Sequence, residues 1–138
     1  MNRCKVVKTA IGTLWGRDCI FLDNVTMSNG ELILTGTINT DIVLEFVQPE
    51  GMPKSGELPY EFTFRGVLAV RIIELDTWES QNHDDDAFME SSFEEILDSS
   101  WLSNLGGKIS SACRHFRIAT YDDIVEVISG SFEIEFKP

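Results

Sequence analysis

Asp18-Cys-Ile-Phe-Leu-Asp-Asn-Val-Thr-Met-Ser-Asn-Gly-Glu-Leu-Ile-Leu-Thr-Gly-Thr-Ile38 is the stretch on which the fold turns. Cys19, Phe21, Val25 and Met27 fall at even spacing, which places their side chains on one face of a strand. Ser28-Asn29-Gly30 follows, and Asn and Gly tolerate the positive φ that a tight hairpin demands. Leu32, Leu34 and Ile38 alternate along the return. Asn39-Thr40-Asp41 predicts a second turn, and Ile42, Leu44 and Phe46 a third strand. The unit is an antiparallel meander.

Outward from it, Gln48 to Pro59 holds Pro49, Gly51, Pro53, Gly56 and Pro59 and must be a loop. Tyr60, Phe62 and Phe64 alternate with Glu61, Thr63 and Arg65 in the next strand, and Gly66 marks a turn or bulge. Val67 to Leu75 is apolar at successive positions, which predicts a central strand covered on both faces. Asp76 to Glu90 is polar, acidic and without period, so an exposed loop is expected. Ser92 with Glu95 forms a capping box, and Phe93, Ile96, Leu97 and Trp101 follow at helical spacing. A main helix over about 92–103, stopped by Gly106-Gly107, is the expectation.

Ala112 to Ala119 reads as a strand with Phe116 and Ile118 inward and His115 and Arg117 outward. Tyr121 to Ile128 is rich in strand formers. Thr120 with Asp123 nevertheless resembles a capping box, and Tyr121, Ile124, Val125 and Ile128 keep helical spacing. These features favour a short helix over about 121–128, with Gly130 as its cap. Phe132, Ile134 and Phe136 alternate in the last strand. The expected fold is α+β: a single domain over 1–138, a mainly antiparallel sheet of about seven or eight strands, and the main helix packed on one face. Trp15 and Trp101 are expected in the core.

Composition agrees with a globular chain: 138 residues, 43% hydrophobic and 25% charged. Lys and Arg total 11 against 23 Asp and Glu, a net charge of −12. Such a chain is repelled by phosphate backbones and anionic lipids, so neither nucleic acid nor membrane is expected as a partner. No run approaches the roughly 18 apolar residues of a membrane-spanning helix. The N-terminus lacks the uninterrupted apolar core of a signal peptide. Cys4, Cys19 and Cys113 are odd in number, far apart and without a C-x-x-C pair, as expected of free thiols in a reducing cytoplasm. The charge is lopsided: positions 72–107 contain ten acids, from Glu74 to Asp98, and no Lys or Arg.

No chemical motif survives its spacing test. His83-Asp84-Asp85-Asp86 concentrates metal ligands, but adjacent residues do not converge on one ion as alternate ones do. With only His83 and His115 in the chain, a histidine-rich zinc site is also out of reach. Gly106-Gly107-Lys108-Ile109 lacks the earlier Gly and the following Ser or Thr of a phosphate-binding loop. Cys113 and His115 share a strand face, yet no third residue orients them. No cofactor and no metal is expected. Trp78, at the start of the acidic loop, either pins that loop to the sheet or serves as an aromatic anchor in an acidic epitope.

Phe64-Arg-Gly-Val-Leu-Ala-Val-Arg-Ile-Ile-Glu-Leu-Asp-Thr77, Ser91-Ser-Phe-Glu-Glu95 with Trp101-Leu102, and His115-Phe-Arg-Ile-Ala-Thr-Tyr-Asp-Asp-Ile-Val-Glu-Val-Ile128 form a recognisable combination. The second half of the chain resembles small bacterial proteins found among polymorphic-toxin and immunity gene clusters. The resemblance implies a cytoplasmic, non-enzymatic protein that neutralises a toxin, and it supplies no site residues. The residues themselves point the same way. An acidic protein-binding module would meet a basic toxin through Trp78, Glu79, Asp84, Asp85, Asp86 and Phe88. A small carboxylate- or metal-dependent hydrolase and a structural or assembly subunit stand as the alternatives.

Overall fold

The computed structural model describes residues 3–52, 54–80, 91–105 and 112–137. In chain order its strands are β1 (Arg3–Val6), β2 (Ile20–Ser28), β3 (Glu31–Asn39), β4 (Glu57–Arg65) and β5 (Ala69–Glu74). Helix α1 (Leu75–Ser80) follows, then β6 (Phe93–Leu97), α2 (Ser100–Asn104), β7 (Arg114–Ala119), β8 (Asp123–Ser129) and β9 (Ser131–Phe136). All pairings are antiparallel, in two sheets ordered β1-β6-β7-β8-β5 and β2-β3-β4-β9. The molecule is thus mainly antiparallel sheet with two small helices, and the sheet is split in two rather than continuous.

The β2–β3 hairpin forms as its turn residues dictate. Asn29 and Gly30 take φ of 53° and 76°, and Ser28 pairs directly with Glu31. Leu32, Leu34 and Ile38 of β3, Tyr60, Phe62 and Phe64 of β4 are buried against the five-stranded sheet. Rings interlock between the sheets: Phe62 meets Phe93 edge-on at 5.3 Å, and Phe132 meets Phe93 and Phe116 at 5.2 and 5.0 Å. Each fully buried ring contributes about 1.5–3 kcal/mol from area alone. β2 carries a bulge at Asp23, between Leu22 and Asn24. The bulge shifts the parity, so Ile20 and Leu22, not Cys19 and Phe21, share the face of Val25 and Met27.

Three expected elements are different. The segment expected to be the main helix is a strand followed by one short helix. Phe93 pairs with Ile118, Glu94 with Arg117 and Glu95 with Phe116, so the acids are cross-strand neighbours of β7. Asp98 then takes φ of 57°, a left-handed residue through which no helix continues. Ser99, not Ser92, is the cap, accepting from the Leu102 amide at 3.0 Å. The segment 121–128 is strand β8. Thr120 and Asp123 do exchange capping hydrogen bonds, with the Asp123 amide donating to Thr120 Oγ1 at 3.0 Å, but these close the β7–β8 hairpin. Both faces of β8 are buried, which is where β-branched residues outcompete helical spacing.

Val67 to Leu75 is not central. β5 is an edge strand of its sheet, and Leu68 and Ile72 are exposed. Asp76 to Ser80, expected in a loop, belong with Leu75 to α1, and its start is fixed by Glu74, whose carboxylate accepts from the Asp76 and Thr77 amides. Ile42, Leu44 and Phe46 do not continue the meander. A 3₁₀ turn spans Thr40–Ile42, after which only Leu44 bridges, to Thr13.

Candidate functional site

The expected partner-binding residues divide in two. Asp84, Asp85, Asp86 and Phe88, like His83 and Gly106-Gly107, lie outside the described residues. Trp78 and Glu79 are on α1. Trp78 is 6% exposed, packs with Leu75, Ala119 and Ile124, and lies 5.4 Å from the Arg117 guanidinium. It pins α1 to the sheet, as the first of its two sequence readings has it. Glu79 is exposed at the rim of a cleft of about 180 Å³.

That cleft has a floor of Leu75 and Ala119 and a wall of Trp15, Gly16 and Arg17. Trp15, expected in the core, is 45% exposed. The loop that carries it is tied down on either side: the Ser92 amide donates to the Leu14 carbonyl at 2.8 Å, and the Ser92 hydroxyl to the Gly16 carbonyl at 2.9 Å. Gly16, at φ of 91°, makes the turn that lifts the indole out. Arg17 donates through Nε to the Tyr121 carbonyl and lies over the Tyr121 ring at 5.0 Å, and that ring stacks on Phe21. A rigid indole at an apolar cleft is a typical anchor of protein interfaces. The signal in the sequence was the Leu14-Trp-Gly-Arg17 context, where a glycine beside the indole marks a turn rather than a core strand.

His115 and Arg117, expected to face solvent, are buried beneath α1 and α2. Across the sheet, Arg71, Glu126, Arg117 and Glu94 stand side by side on β5, β8, β7 and β6, alternating in sign. Arg71 donates to Glu126 at 2.7 Å and Arg117 to Glu94 at 2.8 Å. His115 Nε2 lies 2.8 Å from Glu126, and its Nδ1 lies 2.7 Å from the Ser99 hydroxyl. Trp101, half-buried rather than in the core, covers this row, edge-on to His115 and 4.2 Å from the Arg71 guanidinium. Burial pushes the Glu126 carboxyl up, but hydrogen bonds and charge from His115 and Arg71 prevail and hold it at about 2.

A hydroxyl, an imidazole and a carboxylate in line is the arrangement that activates serine nucleophiles. Here the Ser99 hydroxyl is buried and already accepts from the Leu102 amide as the cap of α2. Both His115 nitrogens are engaged, by Ser99 and Glu126 rather than by Cys113. The three cysteines are free thiols, and burial pushes that of Cys19 up to about 11, further from the thiolate form at neutral pH. Among the described residues no group of three or more His, Cys, Asp or Glu is placed to hold a metal ion. No helix among them is long and apolar enough to cross a membrane.

Comparison with protein-family models, with curated proteins and with solved structures finds no match to this chain.

Proposed function

We propose that this chain is a non-enzymatic protein-binding module of the cytoplasm that engages a basic partner, in the manner of an inhibitor or immunity protein. The observation that carries the reading is the cleft at Trp15. An exposed indole stands over an apolar floor beside α1, and Glu79 and Ser91, which bracket the acidic stretch in sequence, line the same cleft. The anchor is thus Trp15 in place of Trp78, while Glu79 and the sequence-identified Asp84, Asp85, Asp86 and Phe88 remain the acidic and aromatic complement. Rigid aromatic area supplies residence time and the surrounding charge supplies attraction.

Affinity capture from the native cell at low and at high salt, with the parent and Trp15→Ala as parallel baits, tests this. The expected result is a basic protein retained by the parent at low salt and depleted at least several-fold on the variant bait. A capture profile identical for both baits, with the variant folded, would sink the reading.

A further inference from the structure

The hydrogen bonds already made around the Trp15 cleft decide what kind of group can add to them. A hydroxyl has one hydrogen to donate and two lone pairs to accept with. The Ser91 hydroxyl donates to the Phe93 carbonyl at 2.6 Å, that of Ser92 to the Gly16 carbonyl at 2.9 Å, and that of Thr120 to the Asp123 carbonyl at 2.9 Å. All three residues line the cleft. The main-chain amides of Leu75, Ser92, Ala119 and Thr120 are likewise engaged by carbonyls. What these groups have left is acceptor capacity. An occupant gains hydrogen bonds from them only by donating.

Charge points the same way. Glu79 lines the cleft, and a carboxylate accepts only. Among the described residues, no Lys or Arg forms an ion pair with it. Arg17, the cation among the described lining residues, is held elsewhere. Its Nε donates to the Tyr121 carbonyl at 3.1 Å, and its guanidinium carbon lies 5.0 Å from the centre of the Tyr121 ring. The Trp15 indole is 45% exposed and offers its π face, while Leu75 and Ala119 form the apolar floor. At about 180 Å³ the cleft holds a single long side chain, whereas a helix is ~10–12 Å across and cannot enter.

On the protein-binding reading of this cleft, on which the assignment rests, we infer that its occupant is an arginine side chain of the basic partner. The methylene stem lies on Leu75 and Ala119, and the guanidinium sits between the Trp15 ring and the Glu79 carboxylate. A guanidinium stacks on an aromatic ring by its face and keeps five N–H donors in its plane, free to meet acceptors around the rim. An ammonium is a compact, more strongly hydrated charge with no plane to stack. Arginine therefore matches the indole, the carboxylate and the acceptor-rich wall together.

The probe is an end-capped Ala-Arg-Ala tripeptide, titrated into the isotope-labelled full chain and followed by amide and indole N–H chemical shifts. Shifts are expected at Trp15, Gly16, Ser92 and Thr120. The citrulline counterpart keeps the shape without the charge and should bind roughly fivefold more weakly or worse. Glu79→Gln, a change at an exposed residue, should have the same effect, and Trp15→Ala should abolish binding. Absence of binding at millimolar peptide, equal binding of the citrulline peptide, or indifference to Glu79→Gln would each overturn the inference. Affinity capture separates it from the broader reading. A basic protein lost on Trp15→Ala but retained in full on Glu79→Gln would overturn the arginine assignment and leave the protein-binding module standing. Arginine binding with these preferences, without any captured protein, would uphold the assignment and remove the partner.

Discussion

Arg117 and Glu94 are each about 1% exposed and 2.8 Å apart, so each is the reason the other can be charged inside the protein. Removing one partner strands a buried charge. Arg117→Met should therefore cost roughly 3–5 kcal/mol in urea unfolding, whereas Glu94→Leu with Arg117→Met should recover most of that loss. Glu126 gives the pH dependence. Its carboxyl, held at about 2 in the fold, returns to its ordinary value near 4.5 on unfolding. Between those values the unfolded chain binds more protons, so the stabilisation is complete above pH 4.5 and is lost as pH falls towards 2. The amount is about 3 kcal/mol, and a Glu126→Gln variant should show a flatter acid limb in the same titration. Alternation along β7 correctly separated Phe116 and Ile118 from His115 and Arg117. It could not show that the second face is also covered, because α1 and α2 reach it from elsewhere in the chain.

Elements whose two faces differ were legible, and those buried on both faces or cut by a single φ were not. β3, β4 and β9 alternate cleanly because one face meets the other sheet and the second meets a milder surface. β8 misled because burial on both sides erases the period-two signal and leaves a run in which helical spacing appears by chance. The helix expected at 92–103 failed at one residue, Asp98, and at two acids whose partners lie on β7, which no local window contains. The bulge in β2 was hidden for a similar reason, although Gly36 marks it. A Cβ at Gly36 would fall 1.8 Å from the Phe21 carbonyl oxygen and 2.9 Å from the Tyr60 hydroxyl, which itself donates to that carbonyl. Gly36→Ala must therefore part β2 from β3 or break the Tyr60 bond. A loss of more than about 2 kcal/mol is expected by thermal or urea unfolding, against a few tenths for the same change at Gly56, where a Cβ would make ordinary van der Waals contact with the Asp41 carboxylate at 3.9 Å.

Charge is the property of the whole molecule that composition states and structure redistributes. Of the ten acids between 72 and 107, Glu94 is buried against Arg117, Glu95 meets Arg114, and Glu74 holds the start of α1. Asp76, Glu79 and Asp98 are exposed, and Asp84, Asp85, Asp86 and Glu90 complete the stretch in sequence. The field that a basic partner meets therefore comes from fewer charges than the count suggests, and the Asp84-Asp85-Asp86 triplet is the densest group of them. Replacing all three by Asn removes a quarter of the net −12 without touching a described contact. On the proposed function, association with a captured basic partner should slow by roughly tenfold at low ionic strength and lose most of its salt dependence. Dissociation should barely change, and the melting temperature should stay constant or rise slightly as like charges are removed. Trp15→Ala should divide the other way, with faster dissociation, unchanged association and less than about 1 kcal/mol of lost stability, because the indole is half in solvent. Stopped-flow kinetics over a salt series with both variants reads these rates directly. Equal effects of the two variants on both rates would mean that steering and anchoring are not divided between the acidic stretch and the cleft.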